Sequence, residues 1–185
     1  MIKTILGLRE RYAGDIVGSG SENISYLPER FEPPWFLNGY DFIRFSMKLY
    51  NRTATNDEIE RAAQKVSLSV DYLGKYTTTY SKGMRQKLGL LASTLVDCPL
   101  LILDEPMSGL DPKARQEVKE IIQAVKNKGK SVFMSSHILA DVEELCDRVA
   151  VFHNNKIIFL DTPEMLKKKG ENQNLEKAFL SLIAA

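Results

Sequence analysis

The most sharply bounded apolar segment is Leu100-Leu101-Ile102-Leu103, which follows Pro99 and stops abruptly at Asp104-Glu105-Pro106. A run this short and this apolar predicts a strand buried on both faces. Asp111-Pro112 then supplies a helix cap followed by proline at the first helical position. Val118, Ile121, Ile122 and Val125 recur at helical spacing, and Gly129 ends the pattern. Residues 131–134 predict a second buried strand, 139–146 a short helix, 148–152 a third strand, and 156–160 a strand reached through the Asn154-Asn155 turn. Strand, helix, strand, helix, strand predicts a parallel sheet flanked by helices. Leu175, Phe179 and Leu182 form one stripe of a last amphipathic helix, and Lys167-Lys168-Lys169 reads as a solvated helix end.

The first half is patterned differently. Residues 1–8 favour a helix but begin without a cap, and 14–17 and 23–27 read as short strands. Between them lies Gly18-Ser19-Gly20-Ser21, the composition of a flexible linker, either a natural surface turn or an engineered splice. Helical periodicity covers 39–50, 56–66 and 81–96, with Asn56 expected as the cap of the second helix. The expected organisation is an α/β core of 1–30 and 98–162, an all-helical part at 31–97, and C-terminal helices over 163–185.

Composition removes several classes. In 185 residues, 44% apolar content is enough for a buried core, and 25 basic against 24 acidic side chains leave a net charge of +1. No basic footprint for nucleic acid exists, so nucleic acid is not expected as a main partner. No apolar run approaches the roughly 20 residues that span a bilayer, and the N-terminus lacks a secretory pattern. Cys98 and Cys146 lie far apart without metal-ligand spacing, which fits a reducing, cytoplasmic setting.

The candidate chemistry sits where the apolar strand ends, because ligands of open parallel sheets bind at the carboxyl edge. Adjacent Asp104 and Glu105 side chains point in different directions, so one carboxylate can hold Mg²⁺ while the other orients or deprotonates an attacking water. His137 follows the next strand and reaches the same edge. Ser81, at a helix start, can cap the helix or donate to a phosphate, and Gly83 lets a phosphate approach backbone N–H groups. Asp111 before Pro112 has the form of an N-cap.

Taken in order, Tyr80-Ser81-Lys82-Gly83-Met84-Arg85-Gln86-Lys87, Leu100 to Glu105, Ser108-Gly109-Leu110-Asp111 and Ser136-His137 resemble the nucleotide-binding domain of ATP-binding cassette (ABC) transporters of the bacterial exporter type. The resemblance implies a P-loop NTPase (RecA-like) α/β core with an inserted helical signature subdomain. It implies ATP and Mg²⁺ as ligands, with Asp104 on the metal, Glu105 as general base and His137 at the γ-phosphate. Ser81, Lys82, Gly83 and Met84 would complete the site of a second nucleotide-binding domain, which Asp111 would touch. Lys82 and Met84 depart from the usual Gly and Gln of that signature. Tyr26-Leu27-Pro28-Glu29 is similar to the Q-loop, a resemblance that implies Glu29, in place of glutamine, as a nucleotide-site residue and Mg²⁺ ligand. Phe31, Pro33, Pro34, Trp35 and Phe36 follow, either as a groove for a membrane (permease) subunit or as a small core. The family resemblance further implies a protein peripheral on the cytoplasmic face of a membrane.

The family's phosphate loop, Gly-x-x-x-x-Gly-Lys-Ser/Thr, does not occur here. Gly129-Lys130-Ser131 comes nearest but has Ala124 at the first glycine and precedes a strand instead of following one. The chain therefore reads as N-terminally truncated, with reduced or no ATPase activity alone. Two alternatives stay open: a soluble cassette acting on DNA or ribosomes, and a non-catalytic fragment or engineered form of the fold.

Overall fold

In the computed structural model, which describes residues 2–9, 13, 15–18 and 23–184, the apolar run forms strand β2 (Leu100–Asp104) at the centre of a three-stranded sheet. Its neighbours are β1 (Ile24–Leu27) and β3 (Ser131–Ser135), both parallel to it. Leu101, Ile102 and Leu103 are all buried, as a strand covered on both faces requires. Leu27 pairs with Leu103 and Asp104 with Ser135, so the three carboxyl ends finish together.

This sheet belongs to the first of two compact units, Met1–Ser135 and Ser136–Ala185. Helix α1 (Ile2–Ile5) is shorter than the expected 1–8, and the chain turns at Gly7. Asp15, Ile16 and Val17 do not form the expected strand; Gly14, and Ser19-Gly20-Ser21 of the linker-like segment, lie outside the described residues. The helical part comprises α2 (Gly39–Leu49), α3 (Asn56–Lys65), the single turn α4 (Val70–Leu73) and α5 (Lys82–Leu95). The cap of α3 is Thr55, not Asn56: its hydroxyl accepts from Glu58 N–H while the Glu58 carboxylate accepts from Thr55 N–H at 2.8 Å, a capping box. Asn56 instead accepts from Arg44.

Helix α5 packs on β1, and α6 (Pro112–Asn127) on β3. Gly89 sits at the first contact. A β-carbon there would stand 2.5 Å from Leu27 Cδ1 and 2.9 Å from the Phe31 ring, so any side chain would have to displace the Leu27 and Phe31 side chains packed on it. Val118, Ile121, Ile122 and Val125 are the buried stripe of α6.

The second unit holds α7 (Leu139–Leu145), β4 (Val149–His153), β5 (Lys156–Asp161), α8 (Pro163–Lys169) and α9 (Leu175–Ala184), with Val142, Val151, Leu166 and Leu175 at its core. Here the expectation of a third parallel strand at 148–152 is corrected. Asn154 and Asn155 both take positive φ, 47° and 60°, the geometry of a tight hairpin turn, and β4 pairs antiparallel with β5. The third place in the parallel sheet falls to β1. Among the described residues no helix is long and apolar enough to cross a membrane.

Candidate functional site

Strand β2 delivers Asp104 to the carboxyl edge, and the chain then turns sharply at Glu105, whose φ of 48° lies in the left-handed region. A non-glycine residue held there stores strain that its surroundings must offset. Ser135, level with Asp104 on the neighbouring strand, does so with one oxygen. Its hydroxyl donates to Asp104 Oδ1 at 2.6 Å and accepts the Glu105 backbone N–H at 2.9 Å. The turn continues with Ser108 N–H donating to Glu105 O at 3.1 Å. The result is one serine that holds both the Asp104 carboxylate and the Glu105 backbone, with both acidic residues half-buried.

Tyr26 approaches Asp104 from the other side. Its hydroxyl is buried and has no hydrogen-bond partner of good geometry among the described residues. Burial, then the Asp104 charge and a hydrogen-bond pull toward that carboxylate, raise its pKa. The phenol is close to Asp104 without forming a hydrogen bond of good geometry to it.

A second cluster lies at the start of α5. Ser81 is its N-cap, accepting Met84 N–H at 3.2 Å. Lys82 is exposed, and its ammonium occupies the space where a β-carbon on Gly109 would stand. Gly109 has a φ of 65°, which suits glycine in this turn. Gly83 faces Ala114 and Leu110 with room for a methyl group. Asp111 caps α6, its carboxylate accepting Ala114 N–H at 2.9 Å, so its helix-cap role is realised. Gln86, 6% exposed, joins this cluster to the turn beyond Glu105 by donating to Pro106 O at 2.9 Å.

Glu29 is exposed two positions beyond β1, at the same edge of the sheet. His137 is exposed and belongs to the second unit. The aromatic segment divides between its two readings. Phe31 packs edge-on against Phe42 with centroids 5.5 Å apart, whereas Trp35 and Phe36 stack edge-to-face on the surface, 73% and 59% exposed. Gly129-Lys130-Ser131 is a turn: Gly129 has a φ of 76°, Lys130 pairs with Asp97, and Ser131 N–H donates to Pro99 O.

Among the described residues no group of three or more His, Cys, Asp or Glu is arranged to hold a metal. Mg²⁺ commonly takes one or two protein carboxylates and completes its shell with waters and substrate phosphates. Asp104, with an orphaned hydroxyl beside it, fits that arrangement. Tyr26, Ser135 and Gln86 were not legible as site residues. Strand alternation alone gives no such signal; the register between strands places Tyr26 and Ser135 on the face of Asp104.

A parallel sheet with paired acids at the carboxyl end of its central strand and a capped helix beside the following turn defines an α/β protein whose candidate ligand site lies at that edge. The family described as "AAA domain, putative AbiEii toxin, Type IV TA system" matches residues 15–140. An ABC transporter ATP-binding protein of Nostoc is 38% identical, over 82% of this chain and 44% of its own. The fluoroquinolones export ATP-binding protein of Mycobacterium tuberculosis is 36% identical, over 89% and 57%, and the lantibiotic transport ATP-binding protein SrtF of Streptococcus pyogenes 33%, over 97% and 77%. The solved structure of an ATP-binding subunit of an ABC transporter superposes with a TM-score of 0.86 at 28% identity, covering 98% of this chain and 81% of that one. The chain belongs to the ABC transporter ATP-binding proteins. It spans about half the length of several curated relatives it matches.

Proposed function

We propose that this chain is part of the ATP-hydrolysing subunit of an ABC membrane transporter, working at a head-to-tail interface between two nucleotide-binding domains. The observation that carries this reading is the Asp104–Ser135–Glu105 arrangement at the carboxyl edge of the sheet. Asp104 would hold Mg²⁺, whose positive charge would stabilise the ATP phosphates, and Glu29, at the same edge, would be available to its water shell. Glu105, on the left-handed turn that follows Asp104, orients and deprotonates the attacking water. His137 donates to the γ-phosphate. Ser81, Lys82, Gly83 and Met84 face the nucleotide of the second domain, with Asp111 at the same interface. The 31–97 segment acts as the signature subdomain, and exposed Trp35 and Phe36 meet the membrane subunit, which keeps the protein peripheral on the cytoplasmic face.

The sequence contains no phosphate loop, so the chain alone turns over little ATP. Joined to an N-terminal phosphate-loop segment it should hydrolyse ATP, and Glu105→Gln should stop turnover and leave an ATP-bound dimer visible by sedimentation. Hydrolysis that persists in a monomeric Glu105→Gln protein overturns the assignment.

A further inference from the structure

We propose that Tyr26 is a positioning residue of the cation site, its buried hydroxyl placed to hold a water of the Mg²⁺ shell beside Asp104; this rests on the reading of Asp104 as the cation-binding carboxylate. Strand register sets the geometry. Tyr26 lies opposite Ile102, and because side chains alternate, Tyr26, Ile102, Asp104 and Ser135 share one face of the sheet. Tyr26 and Asp104 are diagonal neighbours two positions apart on adjacent strands, a separation an aromatic side chain can bridge. Asp104 is thus flanked by β3 on one side, where Ser135 engages Oδ1, and by β1 on the other, where Tyr26 stands.

The two flanking hydroxyls differ in one respect. Ser135 is satisfied as donor and acceptor, while the Tyr26 hydroxyl, drawn toward Asp104, makes no hydrogen bond of good geometry among the described residues. Buried polar atoms left unpaired are rare and commonly mark the place of a water or an ion. A neutral phenol is a weak ligand for Mg²⁺ itself but a good partner for a water bound to it, and Mg²⁺ retains several waters in protein sites. Phenylalanine would fill the same space and leave that water unheld.

The test uses Mn²⁺ alone, a paramagnetic substitute for Mg²⁺, titrated into the intact chain and followed by the loss of the free-ion EPR signal, with denaturant unfolding of each variant in parallel. Tyr26→Phe should bind Mn²⁺ about tenfold more weakly, the scale of losing a partner that orients a metal ligand. It should also unfold at a denaturant concentration no lower than wild type, because an unpaired buried hydroxyl has been removed. Asp104→Asn should abolish binding. If Asp104→Asn weakens binding and Tyr26→Phe does not, the role of Tyr26 is overturned and that of Asp104 stands. If wild type binds no Mn²⁺, or Asp104→Asn binds as wild type does, the reading of Asp104 falls and the proposal falls with it. A Tyr26→Phe protein that is itself destabilised shows the hydroxyl to be structural, which also overturns the proposal.

Discussion

Ser135 and Asp104, level with each other on adjacent parallel strands, are joined by a hydroxyl-to-carboxylate hydrogen bond of 2.6 Å. The same serine oxygen accepts the Glu105 amide, so one side chain fixes both the carboxylate and the turn that follows it. Ser135→Ala removes a charge-assisted bond and leaves a half-buried N–H without its acceptor. A loss of about 1–3 kcal/mol in denaturant unfolding is expected. Ser135→Thr keeps the oxygen and should recover most of it. Equal losses for both would show that the hydroxyl is not what holds the turn.

Glu105 supplies the second prediction. Its left-handed φ of 48° costs a non-glycine residue on the order of 1 kcal/mol, while glycine there brings back a similar amount as unfolded-state entropy. Glu105→Gly should therefore match wild-type stability within about 1 kcal/mol. Glu105→Ile, β-branched and poorly suited to positive φ, should lose about 1–3 kcal/mol. A glycine variant much less stable than wild type would mean that the Glu105 side chain contributes to folding, and would weaken its reading as a residue kept for chemistry.

The sequence made the buried strand at Leu100 legible because burial on both faces removes alternation, and Asp111 legible because capping is a local property. Thr55 was missed by one position because neighbouring Thr and Asn both have capping side chains, and only Glu58 three residues after Thr55 distinguishes them. The parallel order was misread at Val149 because a short apolar strand does not name its partner; the Asn154-Asn155 turn does, by returning the chain at once. Asp104 and Glu105 were found as neighbours in sequence. Tyr26 and Ser135 join them only through strand register, a relation between segments more than a hundred residues apart at its widest, from Tyr26 to Ser135.

Alkaline unfolding gives a third prediction. The Tyr80 hydroxyl, buried and donating to Tyr72 O at 2.6 Å, has its pKa pushed up to about 12, first by burial and then by Tyr40. Tyr40, hydrogen-bonded to Glu60 at 2.6 Å, is likewise raised to about 12. An unfolded tyrosine ionises near 10, so between pH 10 and 12 the unfolded chain gives up protons that the folded chain retains. The stability is fully present below pH 10 and is lost as pH rises through 12. Tyr80 dominates, because Tyr40 is more open to solvent screening. Stability measured against pH should fall across this window, and Tyr80→Phe should flatten the fall; an unchanged slope in that variant would exclude Tyr80 as its source.

The last prediction separates the surface reading of the aromatic segment from the core reading. Trp35, the only tryptophan, is 73% exposed and touches Phe36 at the surface, while Phe31 of the same segment turns inward onto Phe42. Intrinsic fluorescence should therefore be long-wavelength and readily quenched by an aqueous quencher. Trp35→Ala should change folding stability by no more than about 0.5 kcal/mol, since little area leaves water on folding. If the ring is the anchor for a membrane subunit, the same variant should weaken assembly by about 2 kcal/mol or more, roughly thirtyfold in affinity. Quencher-shielded, blue-shifted emission together with a folding loss of about 3–5 kcal/mol would instead place Trp35 in the core and remove the docking role.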